Sequence, residues 1–185
     1  MSYNLQLKNN CYVITGGPGS GKSTLLNALA AKGYRIVPEV ARPIIEDELA
    51  SGGNALHTGD RLAFRNKMMA HSIRDFISQI QTNQPVFFDR GIPDLIGYSY
   101  LIGEPVPELY WQMTKALRYN PAVFIAPPWA AIYEHDELRK QDFQEAQDTY
   151  HAIKKGYLES GYQLIELPLL SVEERLAWVL QNIDD

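Results

Sequence analysis

The sequence predicts an α/β fold in three layers, with a parallel five-stranded sheet between helices. Short apolar runs rich in β-branched and aromatic residues alternate along the chain with stretches whose apolar residues recur at helical spacing. Each connection is too long for a hairpin and has a helical pattern, so neighbouring strands must pair in parallel. No repeat, low-complexity tract or linker divides residues 1–185, which we interpret as a single domain.

Five strands are predicted from the apolar runs. The first, residues 11–15, ends abruptly at a glycine-rich segment, which is typical of a buried strand that enters a loop. Prolines end the fourth and fifth runs, because proline cannot donate a hydrogen bond to a sheet. The other predicted strands are 34–37, 85–89, 122–125 and 162–167.

Helical patterns lie between these strands. The segment 60–80 carries apolar residues at the spacing of one helix face and is long enough to cross one side of the sheet. Gly33 marks the end of the first helix, whereas Pro43 and Pro93 suit the first turns of two others. In chain order the other helices are predicted at 23–31, 43–49, from 93 onward, at 109–117, at 136–157 and from 171 onward.

Composition excludes several classes of protein. With 45% apolar and only 21% charged residues, the chain has ample material for a core and is not disordered along its length. A formal charge of -5 disfavours binding to nucleic acid, which needs a basic face. No apolar run approaches the roughly 20 residues that cross a bilayer. Because the single cysteine, Cys11, cannot form an internal disulfide and residues 1–10 lack the layout of a signal peptide, we expect a cytoplasmic protein without integral membrane association.

One segment carries a specific chemical signal. Residues 16–23 fit the pattern G-x-x-x-x-G-K-[ST] and stand between a predicted strand and a predicted helix. Glycines let backbone N–H groups converge on phosphate oxygens, and the following helix adds unpaired N–H groups and the positive end of its dipole. The sequence therefore predicts a P-loop that binds the triphosphate of ATP. Its expected contacts are Gly16, Gly17, Gly19, Ser20, Gly21, Lys22, Ser23 and Thr24.

Polar side chains of this loop and of one strand end have distinct expected roles. Lys22 neutralises the β- and γ-phosphates, Ser23 coordinates the Mg²⁺ that bridges them, and Thr24 contacts the α-phosphate. A second metal contact is predicted at Asp89, which ends an apolar strand as a Walker B acid does. The alternative for Asp89 is a strand-end acid that caps the helix after Pro93.

Arg90, and not a second acid, follows Asp89. Motor proteins that hydrolyse ATP usually have a glutamate at this position, which activates water. The Asp89-Arg90 pair therefore favours a site that binds an organic phosphoacceptor. With these residues the chain resembles P-loop nucleoside and nucleotide kinases, and within them the NadR-like group of predicted ATPases and nicotinamide-ribose kinases. The resemblance covers most of the chain. Of the motifs that carry it, only the P-loop is specific by itself, and the others count through their order and spacing. Its other marks are residues 39–42, the triplet 89–91, the helix that carries Arg139, and Gly161-Tyr162 before the last strand.

The resemblance implies an architecture and an acceptor side. The five predicted strands should lie in the order 2-3-1-4-5, with a helical lid at about 127–145 and the ligands at the carboxyl ends of the strands. Glu39 should take the proton of an acceptor hydroxyl, or else is a solvated glutamate near a helix start. Arg42 and Arg90 clamp the acceptor or the γ-phosphate, or pair with nearby carboxylates as scaffold.

Arg139 is the predicted arginine finger. It stands four residues before Phe143 and so shares the apolar stripe of the helix predicted at 136–157. At the lid, an inward guanidinium would stabilise charge on the transferred phosphoryl group. The alternative is an ion pair at the rim with Glu137 or Asp142.

Two classes of function fit these residues. The first is an ATP- and Mg²⁺-dependent phosphotransferase acting on a small hydroxyl-bearing metabolite, such as a nucleoside or riboside, with Arg65 and Asn66 as candidate acceptor contacts. The second is a nucleotide-binding ATPase or GTPase switch without such an acceptor. Residues 94–97 match the D-x-x-G of GTPases but begin several residues beyond the strand end, so we discount them. An exposed pair of helices is compatible with a homodimer.

Overall fold

The computed structural model describes residues 5–132 and 143–183. Its strands are β1 (Gln6–Leu7), β2 (Cys11–Gly16), β3 (Arg35–Val37), β4 (Val86–Asp89), β5 (Leu117–Arg118), β6 (Ala122–Ala126) and β7 (Gln163–Glu166). Five of them form a parallel sheet in the order β3-β4-β2-β6-β7. These five are the apolar runs singled out in the sequence, so the predicted order 2-3-1-4-5 is confirmed.

The helices also follow the predicted pattern. They are α1 (Lys22–Ala31), α2 (Ala41–Ser51), α3 (Arg61–Ser78), α4 (Asp94–Leu101), α5 (Glu108–Ala116), α6 (Phe143–Glu159) and α7 (Val172–Gln181), with a short 3₁₀ turn at Ala130–Ile132. Asp60 caps α3 by accepting a hydrogen bond from the Ala63 N–H at 2.9 Å, and Ser171 forms a capping box with Glu174 at the start of α7. Residues 133–142 of the predicted lid and of the predicted helix 136–157 lie outside the described residues.

A second small sheet was not expected. β1 pairs in parallel with β5, and β5 begins at Leu117, where the sequence predicted the last residue of a helix. The helix α5 ends one residue earlier, at Ala116. Strands of two residues are too short to show any period in the sequence, so only the folded chain reveals this pairing.

Apolar clusters cover both faces of the main sheet and confirm the three-layer class. Side chains alternate along β2, so Val13 joins the cluster under α2 to α6, whereas Ile14 joins the cluster under α1 and α7. All six residues of β2 are buried, as expected for the central strand of a parallel sheet. Among the described residues, no helix is both long enough and apolar enough to cross a membrane.

Candidate functional site

The loop between β2 and α1 forms a backbone cradle. Gly16, Gly19 and Gly21 have positive φ angles of 135°, 69° and 77°. At Gly16 a side chain is also excluded by space, because a Cβ atom would lie 2.3 Å from the carbonyl oxygen of Ala126. The N-cap of α1 is Gly21, and no side chain caps the helix. The first N–H groups of α1 are therefore left for an anion, as the P-loop prediction requires.

Lys22 lies inside this cradle. Its side chain is buried, and its Nζ donates hydrogen bonds to the Gly17 carbonyl at 2.7 Å and to Ser20 Oγ at 3.4 Å. Burial, with a smaller contribution from the nearby charge of Arg90, lowers the pKa of Lys22 to about 8. Ser23 and Thr24 are exposed on the first turn of α1, where a ligand can reach them. The predicted nucleotide contacts therefore lie together on the loop and on the first turn of α1.

Arg90 joins three segments at the carboxyl edge of the sheet. Its Nε donates to Glu39 Oε1 at 2.8 Å, and its Nη1 donates to the Gly16 carbonyl at 3.1 Å and to Asp94 Oδ1 at 3.2 Å. Its φ is 72°, a conformation in which no other non-glycine residue occurs within the described ranges. Burial acts against its charge, but Glu39, Asp94 and Asp89 outweigh burial and raise the pKa of Arg90.

Glu39 follows β3 and faces Arg90. Its side chain is 29% exposed, so it is not the freely solvated glutamate of the alternative interpretation. Burial acts to raise the pKa of Glu39, but the charges of Arg90 and Lys22 outweigh it and hold the pKa below its ordinary value. Glu39 is therefore ionised at neutral pH. Of the two roles considered for Arg90, the structure contains the ion pair with Glu39.

Asp89 ends β4 with one carboxylate oxygen unpartnered. Asp89 Oδ1 is buried and accepts no hydrogen bond from the described residues. Burial raises the pKa of Asp89, and the charges of Lys22 and Arg90 offset part of that effect. The helix after Pro93 has no side-chain cap, so Asp89 does not play the capping role. A buried carboxylate oxygen without a donor suits a metal ion or its bound water, so these residues fit Mg²⁺.

Asp94, which begins the D-x-x-G match discounted in the sequence, belongs to this site. Its Oδ1 accepts a hydrogen bond from Thr15 Oγ1 at 2.5 Å, and its Oδ2 accepts from the Gly91 N–H at 2.8 Å and from the Tyr157 hydroxyl at 2.6 Å. With the bond from Arg90, both carboxylate oxygens are occupied. The sequence offered two signals for this position, the D-x-x-G match and the start of a helix after a proline, but neither indicated these partners.

A small cavity of about 30 Å³ lies beside these groups. We call it the β4–α3 cavity. Its walls include Val37 and Glu39 at the end of β3, Asp89 and Arg90 at the end of β4, and Met68, Ser72 and Asp75 on α3. The predicted acceptor contacts on α3 do not line it. Arg65 donates to Ser99 Oγ and to the Pro105 carbonyl, and Asn66 accepts from the Tyr110 hydroxyl, so both residues bind neighbouring segments.

Three further residues were named in the sequence analysis: Arg139, Arg42 and Cys11. Arg139 lies outside the described residues, so its interpretation as an arginine finger stays a prediction. Arg42 is exposed on α2, near enough to Glu39 for its charge to help lower the pKa of that carboxyl. Cys11 is fully buried, and burial raises the pKa of its thiol to about 11, which agrees with a packing role.

The cradle, the buried lysine and the sheet order define a P-loop nucleoside triphosphatase domain. Within that class the chain belongs to the AAA domain family AAA_28, which matches residues 11–175. The predicted P-loop domain is confirmed by this family match together with the fold.

Known proteins resemble the chain in two ways. In sequence it is 32% identical to the tRNA modification GTPase MnmE of Francisella tularensis over 130 residues, which are 60% of this chain and only 29% of that protein. In structure it matches the deoxyadenosine kinase of M. mycoides with bound dATP, with a TM-score of 0.65, 14% identity, and coverage of 95% of this chain and 100% of the kinase. A NadR protein in complex with NR gives a TM-score of 0.67 at 16% identity, over 92% of this chain and 50% of that one. These structural likenesses establish a shared fold.

Proposed function

We propose that the protein is an ATP- and Mg²⁺-dependent phosphotransferase whose acceptor is a small hydroxyl-bearing metabolite, such as a nucleoside or riboside. The observation that carries the proposal is that Glu39, Asp89 and Arg90 line one cavity at the carboxyl edge of the sheet, where Arg90 also binds the Gly16 carbonyl of the P-loop. The kinase fold shared with deoxyadenosine kinase and with NadR supports the same proposal.

The nucleotide side of the reaction belongs to the loop and to β4. Backbone N–H groups of the cradle bind the phosphate oxygens, and Lys22 supplies a positive charge to the β- and γ-phosphates. Ser23 and Asp89 would hold Mg²⁺, directly or through water. When bound, the metal ion withdraws charge from the phosphate oxygens.

The acceptor side belongs to Glu39 and Arg90. The acceptor oxygen forms a bond to the γ-phosphorus as the bond from that phosphorus to the bridging oxygen breaks, and the diphosphate leaves. Glu39, held ionised by Arg90, takes the proton of the acceptor hydroxyl. Arg90 orients Glu39, and Arg139 of the proposed lid at about 127–145 would add charge at the transferred group.

The charge of the cavity narrows the acceptor class. The carboxylates that line it are Glu39, Asp75, Asp89 and Asp94. Arg90, the only cationic side chain among the described residues of its wall, is already paired with two of them. Among these described wall residues a phosphomonoester would meet carboxylates and no free cation, which favours an uncharged or cationic acceptor.

The switch alternative has less support. The similarity to a GTPase covers 60% of the chain, and residues 94–97 match the D-x-x-G pattern of GTPases in general. A switch aspartate must reach the metal or its water, whereas both oxygens of Asp94 are taken by Thr15, Tyr157, Gly91 and Arg90.

An acceptor screen tests the proposal. ATP·Mg²⁺ turnover and phosphorylated product are measured with nucleosides, ribosides and their 5′-monophosphates. We expect products from unphosphorylated acceptors only, and a loss of about 100-fold or more in Lys22→Ala, because a charge on the reacting phosphate is removed. Lys32→Ala, an exposed lysine that follows the last residue of the same helix, should keep full activity.

Other outcomes are equally informative. Tight nucleotide binding with slow hydrolysis that no acceptor stimulates would support the switch. Products from the monophosphates would contradict the acceptor class derived from the cavity, while leaving the phosphotransferase in place.

A further inference from the structure

An arginine from the other end of the chain lies against the P-loop. Arg175, on α7, is 3% exposed, and its Nη1 donates a hydrogen bond to the Ser20 carbonyl at 3.2 Å. The same atom would lie 2.8 Å from a Cβ atom at Gly21, so the guanidinium is packed directly on the loop backbone. The contact joins residues separated by 155 positions in the sequence, and no sequence motif predicted it.

The charge of Arg175 has no counterion in the described chain. Within residues 5–132 and 143–183 no carboxylate forms an ion pair with it, and its Nε is buried without a hydrogen-bond partner. Burial lowers the pKa of Arg175, which shows that the surroundings oppose the charge. A buried, unpaired cation is unfavourable unless something compensates for it.

An anion bound in the adjacent P-loop would supply the negative charge that compensates for Arg175. Ser20 and Gly21 share one trans peptide group, in which the C=O and the N–H point in opposite directions. A guanidinium on the carbonyl side fixes the direction of the Gly21 N–H and polarises it as a donor. An anion bound by the loop N–H groups then interacts favourably with Arg175 through the peptide, without touching the side chain.

We propose that Arg175 is a positioning residue for the nucleotide polyphosphate, acting through the Ser20–Gly21 peptide. The proposal concerns nucleotide binding alone, so it holds for a phosphotransferase and for a switch. The proposal predicts that the contribution of Arg175 to nucleotide affinity increases with the number of phosphates bound in the cradle. A residue that only packs α7 against α1 would change the stability of the protein but not the preference among ATP, ADP and AMP.

The test compares dissociation constants for ATP, ADP and AMP, measured calorimetrically on the intact protein. Arg175→Met keeps an unbranched side chain and removes the charge. We expect it to weaken ATP and ADP about tenfold or more and AMP by no more than about twofold. Arg175→Lys should fall between Arg175→Met and the unchanged protein, because an ammonium keeps the charge but not the planar fork. Arg35→Met, at an exposed position of β3, is the matched control and should change nothing.

Thermal unfolding without nucleotide separates the two roles. A lower unfolding temperature with equal losses for all three nucleotides, or with no loss, would overturn the proposal. If Arg175→Met does not fold, Arg175→Lys decides: a loss that grows with the number of phosphates supports the proposal, and a uniform loss contradicts it. If the proposed phosphotransferase activity is wrong, no phosphorylated acceptor will form, while the effect of Arg175 on the preference among ATP, ADP and AMP will be unchanged.

Discussion

Lys22 is a buried ammonium in a site that receives anions. Its pKa of about 8 in the nucleotide-free protein reflects first burial and then the charge of Arg90. Phosphates beside Nζ favour the charged form, so the pKa of Lys22 is higher in the complex than in the free protein. Nucleotide affinity is therefore greatest below pH 8 and falls as the pH rises through 8, because a proton must then be taken up on binding.

Calorimetry between pH 7 and 9.5 checks this prediction. Above pH 8 the dissociation constant for ATP should rise by up to about tenfold for each pH unit. Lys22→Arg is the control, since a guanidinium stays charged over the whole range and should give a flat profile. A profile for the unchanged protein as flat as that of the variant would show that Lys22 is already fully protonated without nucleotide.

Some residues of the site could be identified from the sequence, whereas others depend on contacts that form only in the folded protein. Lys22 could be identified in advance because a local pattern of glycines fixes both its backbone and its chemistry. The role of Asp94 at this site could not, because its four hydrogen-bond donors come from β2, α6 and the turn after β4. Asp75 enters the β4–α3 cavity only through the packing of α3 on the sheet.

At the level of elements, the packing of α4 against α6 supports the site. Gly97 and Gly156 let the two helix backbones approach, and a Cβ atom at Gly97 would lie 2.7 Å from the Cα atom of Ile153. The same pair of helices is joined by the hydrogen bond from the Tyr157 hydroxyl to Asp94. Because Asp94 orients Arg90, the separation of α4 and α6 affects the acceptor side directly.

Gly97→Ala tests this coupling. In an exposed helix the change would stabilise the protein by up to about 1 kcal/mol, because glycine is the poorer helix former. Here the added methyl group meets backbone that cannot move cheaply, so we expect a loss of about 1–3 kcal/mol in the free energy of unfolding, together with lower turnover. Urea denaturation measures the first effect. Leu101→Ala, at a residue of the same helix that is 39% exposed, should stay within about 0.5 kcal/mol, and a more stable Gly97→Ala would contradict the close contact.

Elements with a clear period were predictable, whereas those defined by pairing were not. The 18 residues of α3 carry a regular apolar face and a capping aspartate, so the prediction of residues 60–80 was close. β1 and β5 have two residues each and exist because they pair with each other. Their existence depends on a contact between distant segments, which no local window of sequence contains.

At the scale of the whole molecule, the P-loop is supported by three distant segments. Gly16 abuts Ala126 at the end of β6, Gly17 abuts Ala146 on α6, and Ser20 accepts a hydrogen bond from Arg175 on α7. The sheet order alone places the first of these, so the sequence predicted it in outline. The other two depend on how α6 and α7 pack, and unfolding of either helix would release the loop.

Nucleotide binding should therefore stabilise the whole fold. A ligand present at 100 times its dissociation constant adds about 2.7 kcal/mol to the free energy of unfolding. For a chain of 185 residues this corresponds to a rise of roughly 5–11 °C in the unfolding temperature. Differential scanning fluorimetry with ATP·Mg²⁺ measures the shift, which should be largely lost in Lys22→Ala and kept in Lys32→Ala. An equal shift in Lys22→Ala would mean that the nucleotide stabilises the protein from a site other than the cradle, because the ammonium that completes the cradle would then contribute nothing to binding.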